Sequence, residues 1–275
     1  MLARAESAMN AFSAPYAQPL VGRMPAIEAP RREILGVQVA ALTREQALAL
    51  IARAFDRKQH LRLAYCNAHL ANVAANDAAL RAALCGFLIL PDGIGVDVAS
   101  QLLHGAHFPA NLNGTDFTPA LLAAQREPLR VMLLGGKPGI AERAAARLQD
   151  AHPQHDFAVL SHGYFSAEEE AALLARLEYE RPDLLLVAFG NPRQEKWIAE
   201  KLGPRHCSVA AGIGAFFDFL AGEVTRAPLW IRRLRMEWLY RLWLEPGRLW
   251  RRYVVGNPIF LLRVLRQRLT GRKVA

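Results

Sequence analysis

The chain has 275 residues, 52% of them hydrophobic, so it holds one large or two small domains with a substantial core, which excludes a disordered protein. Its three cysteines, Cys66, Cys85 and Cys207, have neither metal nor redox spacing, which excludes a disulfide scaffold and fits a reducing cytoplasm. The net charge of +9 is uneven: positions 226–275 carry 13 Lys/Arg against two acidic residues, while the first 225 residues are near neutral. An anionic partner is therefore expected for the tail: a membrane surface, nucleic acid or a phosphorylated substrate.

Residues 1–30 contain Pro15, Pro19, Pro25 and Pro30 and no periodicity, and read as a loose leader. They lack a continuous apolar run, so no signal peptide is expected, and no stretch reaches the roughly 18–20 apolar residues of a membrane span. A short strand is expected within Glu33–Val39. Thr43 and Gln46 form a capping-box pattern that opens a helix to about Asp56. A strand at Leu61–Cys66 ends in Asn67, and an alanine-rich helix is expected over Leu70–Leu84. A strand at Phe87–Leu90 runs into Pro91-Asp92-Gly93 and a helix to about Leu103. Asn113-Gly114-Thr115-Asp116 is a polar loop before another helix, with Asp116 read as an N-cap. A strand at Leu129–Leu134 ends in Gly135-Gly136, and another lies at Phe157–Leu160. Ser166–Glu180 is a helix with carboxylates in its first turn.

The chain is organised around Arg181–Ile198. Leu184–Phe189 is an apolar run of strand length, and Gly190-Asn191-Pro192 breaks it sharply. A helix starts at once with Arg193, Gln194 and Glu195. A buried strand leading through a glycine loop to a helix N-terminus is where open α/β sheets bind ligands, anions above all. Gln194, at such a mouth, is expected to be partly solvated. A last strand at Ser208–Ala211 leads to Gly212. The alternation predicts an α/β fold: a mostly parallel, Rossmann-like sheet with helices on both faces over 31–225. From Arg226 to 275 a basic, aromatic, helical appendage is expected, with Trp238, Trp243, Trp250 and Tyr253 at membrane headgroup level and the arginines from Arg248 onward toward lipid.

Several residues carry chemistry on this reading. Gly135 and Gly136 either cradle a phosphate through backbone N–H groups or form a tight turn. Asp92, at a strand's carboxyl end, is a general base, a sugar-hydroxyl ligand or a turn aspartate. Asn191 and Glu195 share the ligand-binding helix start. Arg226, Arg232, Arg233 and Arg241 are candidates to neutralise a departing anion. His104 and His107 lack a third ligand at metal spacing, and Asp218 has no acidic neighbour, so no metal site is read.

The motifs Leu90-Pro-Asp-Gly-Ile-Gly-Val96, Gly114-Thr-Asp116, Leu133-Leu-Gly-Gly136, Gly163-Tyr-Phe165, Ala188-Phe-Gly-Asn-Pro-Arg-Gln-Glu195, Gly212-Ile-Gly214, Arg226-Ala-Pro228 and Glu237-Trp-Leu-Tyr-Arg241 follow one another from about Ile34 to Arg252. In combination they resemble the WecG/TagA/CpsF family of bacterial glycosyltransferases. The resemblance implies inverting, metal-independent transfer, without a cofactor, from a UDP-sugar to a sugar on a polyprenyl (undecaprenyl) diphosphate at the cytoplasmic membrane face, in cell-surface polysaccharide synthesis. It implies that Asp92 is the catalytic base, that Asn67 and Gln194 line its pocket, and that the tail closes the site and touches an anionic membrane. Asn111 stands where many members have Arg, which leaves the donor sugar open. The rivals are a basic nucleic-acid-binding protein, which leaves the body motifs unexplained, and a dinucleotide oxidoreductase, whose fingerprint is missing. No nucleic acid is expected as a partner, and a homo-oligomer is compatible with the sequence.

Overall fold

The computed structural model describes residues 29–271. The expected leader up to position 28 and positions 272–275 lie outside them. Six strands form one parallel sheet: β3 (Leu61–Cys66), β4 (Phe87–Pro91), β5 (Arg130–Gly135), β6 (Asp156–Ser161), β7 (Leu184–Ala188) and β8 (Val209–Gly212), in the order β4-β3-β8-β7-β5-β6. The order reverses around β8 and β7, so the carboxyl ends of β3, β8 and β7 border the crevice where open α/β sheets place ligands.

Side chains alternate across each strand, and both faces are covered. Leu61, Leu63, Val131, Leu133 and Leu184 join one core with helices α1 (Arg44–Asp56), α5 (Gly114–Ala124) and α6 (Ile140–Ala151). Ala64, Cys66, Met132, Leu134 and Leu185 join the other, with α2 (Ala68–Asn76), α3 (Ala78–Leu84), α4 (Ile94–His104), α7 (Ala167–Glu180) and α8 (Arg193–Lys201). The expected capping box at Thr43 with Gln46 is present, and Ser166 with Glu169 forms a second one at the start of α7.

Two elements differ from expectation. Glu33–Val39 is not one strand: β1 (Arg31–Ile34) and β2 (Val37–Ala40) form a hairpin turned by Leu35-Gly36, both at positive φ. Leu70–Leu84 is not one helix, because Asp77 is extended and caps a new one, accepting from the Leu80 N–H at 2.9 Å.

After α9 (Phe216–Leu220) come four more helices: α10 (Leu229–Arg233), α11 (Glu237–Leu244), α12 (Pro246–Trp250) and α13 (Gly256–Thr270). A π-helical turn over Arg251–Val255 joins the last two. Helix α13 is anchored on the body. Phe260 and Val264 are buried, Asn72 Nδ2 donates to the Gly256 carbonyl at 2.7 Å, and Gln267 accepts from the Leu35 N–H at 3.1 Å. Among the described residues, no helix is long and apolar enough to cross a membrane.

Candidate active site

Strand β3 delivers Asn67 and β4 delivers Asp92 to adjacent positions. The Asp92 N–H donates to the Cys66 carbonyl at 2.9 Å, extending the ladder by one rung beyond the strands. Asn67 does two things. Its Oδ1 accepts from the Leu70 N–H at 3.0 Å, capping α2, which leaves its amide free to donate to Asp92 Oδ2 at 3.2 Å. Gly93 follows at φ +90°, a conformation costly for residues with a side chain. Its N–H donates to Asn111 Oδ1 at 2.8 Å, so Asn111 braces the loop that presents Asp92. Burial raises the Asp92 carboxyl above its ordinary range. The Asn67 amide, then Arg252 and Arg241, oppose that rise without cancelling it.

The β7 mouth is built differently from expectation. Gln194 is 1% exposed rather than partly solvated. Its Oε1 accepts the Gly190 and Gly214 N–H groups, each at 3.1 Å, and so ties the β7 loop to the β8 loop. A Cβ on Gly212 would lie 2.9 Å from Gln194 Nε2, which is why β8 ends in glycine. Glu195 is fully buried and accepts from Asn191 at 2.6 Å and from Gln194 at 2.9 Å, both on Oε1. Its Oε2 has no partner, and burial pushes its pKa up to about 7 against those hydrogen bonds.

At Gly135 and Gly136 the geometry is that of the tight turn, the alternative to a phosphate cradle. A Cβ on Gly135 would lie 2.5 Å from the Ala188 carbonyl oxygen, and the Gly136 N–H is already donated to that oxygen at 3.1 Å. The pair allows close packing of β5 on β7 at the rim of the site.

Asp116 is not the N-cap of α5. Asn113 is, accepting from the Asp116 N–H at 3.0 Å. That leaves the Asp116 carboxylate to Arg226, at 2.5 Å, and Arg232, at 3.5 Å. Burial pulls the Asp116 carboxyl up, but Asn113 and the two arginines overcome it and hold the carboxyl below its ordinary range. Glu237 stands 3.7 Å from Arg226 Nε, so α11 is stitched to the same cluster. Arg241 lies over the Phe219 ring at 5.2 Å. The Nε atoms of Arg232, Arg241 and Arg252 are buried without a hydrogen-bond partner. Buried N–H donors are nearly always paired, so these donors, with the Arg226 Nε beside Asp116, leave positive groups at Asp116 and at Asp92 that could meet an anion. The Arg233 side chain lies outside the described part of the structure.

Arg252 was expected to face lipid. It is instead largely buried, and its charge acts on Asp92. The sequence pattern did not show this, because the helix that carries Arg241 ends at Leu244 and the chain breaks at Glu245, at φ −130° and ψ 58°, before it reaches Arg252. Trp238 and Tyr253, expected at headgroup level, pack on each other with ring centroids 5.8 Å apart, whereas Trp243 and Trp250 are exposed. His107 Nδ1 meets Asp97 Oδ2 at 3.0 Å, and Arg235 meets the same oxygen at 2.6 Å, holding the turn between α10 and α11 against α4.

The "Glycosyl transferase WecG/TagA/CpsF family" matches residues 32–274. The chain belongs to this family. A Bacillus subtilis (strain 168) protein named N-acetylglucosaminyldiphosphoundecaprenol N-acetyl-beta-D-mannosaminyltransferase is 35% identical over 182 residues, 65% of this chain and 68% of the relative. A Staphylococcus aureus (strain MRSA252) protein of the same name is 31% identical over 237 residues, 84% of this chain and 91% of the relative. In this WecG/TagA/CpsF glycosyl transferase, a carboxylate of raised proton affinity thus lies within electrostatic reach of Arg252 and Arg241. The carboxylate suits proton removal from a hydroxyl, the guanidinium groups the charge of a phosphate.

Proposed function

We propose that the protein transfers a sugar, an N-acetylhexosamine or a hexose, from a UDP-sugar to the sugar of a polyprenyl-diphosphate-linked acceptor, with inversion and without a metal, in cell-surface polysaccharide synthesis. The relatives' names supply an acceptor class and a class of transferred sugar. The observation that carries the mechanism is the convergence of Asp92 with Arg241 and Arg252, whose charges both act on its carboxylate.

The acceptor hydroxyl loses its proton to Asp92 as its oxygen attacks the anomeric carbon of the donor. The bond from that carbon to the UDP oxygen breaks on the opposite face, and both of its electrons leave with UDP. A single displacement inverts the anomeric centre. Negative charge grows on the departing diphosphate, and the buried N–H groups of Arg232, Arg241 and Arg252 are the donors that meet it. Asn67 holds Asp92 in orientation and limits the rise of its pKa. Asn191, Gln194, Glu195 and Gly212 shape the wall beside it.

The enzyme works at the cytoplasmic face of the membrane, on this reading, with the appendage against anionic lipid. Leu262 and Leu269 on α13 are 66% and 85% exposed, and Arg266 and Arg268 beside them are exposed too. Apolar side chains interleaved with cations suit an anionic interface.

The test is a panel of UDP-sugars with an N-acetylglucosaminyl-diphosphate-polyprenol acceptor, with and without EDTA, following UDP release and the anomeric configuration of the product. The reading requires UDP release that depends on the acceptor, survives EDTA and yields the inverted anomer. Release from no donor, retention of configuration, or loss in EDTA restored by Mg²⁺ would each reject the corresponding part.

A further inference from the structure

Helices α10 and α11 have a second face that the transfer chemistry does not use. On α11, Met236, Leu239, Tyr240 and Trp243 recur at positions i, i+3, i+4 and i+7, an apolar stripe. With Trp230 and Ile231 of α10 they line a groove of about 490 Å³ with almost no polar surface. Trp230 and Trp243 are 64% and 74% exposed, and the Tyr240 and Trp243 rings lie 6.1 Å apart at its wall. Contiguous apolar surface of this kind marks a binding site.

We propose that this groove seats the first isoprene units of the acceptor's polyprenyl chain. The inference rests on the acceptor class put forward above. Its support is continuity with the arginine cluster. Glu237 and Arg241 lie on the same helix as the stripe, and at 100° per residue their face is turned from it by only about a third of a turn. Arg232, one residue after Ile231, reaches Asp116 while Ile231 lines the groove. A diphosphate held by these arginines therefore has an apolar channel starting within one helix diameter, about 10 Å. The acceptor is an anionic head joined directly to a hydrocarbon chain, which is the sequence of surfaces the two helices present. The groove is walled by two helices, α10 and α11, whereas the exposed leucines of α13 lie along one helix. Occupancy by the acceptor's own chain would let binding at the groove fix the diphosphate, and through it the sugar hydroxyl at Asp92.

The experiment measures binding by calorimetry, without membranes, of a C15 isoprenyl diphosphate and of inorganic diphosphate. The proteins are the wild type and the Leu239→Ser/Trp243→Ala double variant, whose sites are exposed enough to leave the fold intact. The wild type is expected to bind the isoprenyl compound at least about tenfold more tightly than inorganic diphosphate, as burying a few apolar groups provides. The double variant should lose that preference and bind inorganic diphosphate like the wild type. No preference in the wild type, or an undiminished preference in the variant, overturns the proposal. So does a variant that keeps the preference but loses sedimentation with vesicles, because the groove would then face bilayer lipid. Binding does not depend on turnover, so a failure of sugar transfer with the isoprenyl preference intact would reject the proposed reaction and leave the groove's ligand standing.

Discussion

Asn67 donates its side-chain amide to Asp92 Oδ2 at 3.2 Å, and the residue that makes this bond is also the cap of the following helix. The orientation of the carboxylate is therefore tied to the end of β3 and the start of α2 together. Strand ends and helix starts are rigid supports for a reacting group.

Asp92→Asn keeps an oxygen that can accept from Asn67 but cannot take up the acceptor proton. Turnover should fall by about 10² or more, the scale of lost general-base catalysis, with the melting temperature close to that of the wild type. A folded variant with near-normal turnover would remove Asp92 from the mechanism.

The pH profile should carry the signature of the arginines. Burial raises the Asp92 pKa, so the acid limb of kcat/KM should lie above the usual aspartate range of about 4. Arg252 and Arg241 favour the charged carboxylate. Removing the charge in Arg252→Ala should therefore move the limb to higher pH, while Arg252→Lys should move it less. An unmoved limb would show that Arg252 does not act on the titrating group.

Much of the fold was legible because the inner sheet strands are buried on both faces and read as apolar runs, while the edge strand β6 is only half-buried. The Gly-Asn-Pro break after β7 was equally plain. Three features were hidden for physical reasons. Asp77 sits in an alanine-rich stretch whose helix propensity masks the break. Gln194 is polar, and polarity at a loop mouth suggests solvent, yet its acceptor is consumed by two backbone donors inside the fold. Arg252 sits in a basic aromatic run that reads as membrane-facing, and the chain break at Glu245 conceals its approach to Arg241 and Asp92. Asp92 was singled out by its place at a strand's carboxyl end as well as by the family motif, and Asn67 by the resemblance alone, whereas their contact is a property of adjacent parallel strands.

Gln194→Ala should damage stability as well as kinetics. It leaves the half-buried Gly190 and Gly214 N–H groups without their acceptor, and a buried unpaired donor costs roughly 1–3 kcal/mol, so a loss toward the low end of about 2–6 kcal/mol is expected in urea unfolding. The two loops it joins border the crevice, so kcat/KM should fall too. Unchanged stability would mean that water replaces the side chain at no cost.

Glu195 links stability to pH. Its pKa rises from 4.5 to about 7 in the folded chain, so folding favours the protonated form. The contribution is fully present below the unfolded value of 4.5 and is lost as pH rises through 7, by about 3 kcal/mol in all. Glu195→Gln stays neutral, so its stability relative to the wild type should improve between pH 5 and pH 8. A wild-type-to-variant difference that is constant over this interval would show that Glu195 does not titrate there.

The α13 face provides the membrane test. Leu262→Ser/Leu269→Ser changes side chains that are 66% and 85% exposed, so little folding energy is lost, whereas burial in a bilayer would bring up to roughly 1.5–3 kcal/mol from each leucine. Arg266→Gln/Arg268→Gln removes two exposed charges, each contributing about 1 kcal/mol near an anionic leaflet. Sedimentation with vesicles of anionic lipid should fall in both variants. The arginine variant should lose most at low salt, where the charge contribution is largest, and the leucine variant should lose a similar amount at every salt concentration. Deleting 248–275 is a poorer test, because it would also strip Phe260 and Val264 from the core and Arg252 from Asp92. Transfer to a soluble, short-tailed acceptor should be unchanged in both substituted variants. Vesicle binding equal to that of the wild type in both would take the membrane away from this face and leave α13 as a brace for α2 and α4.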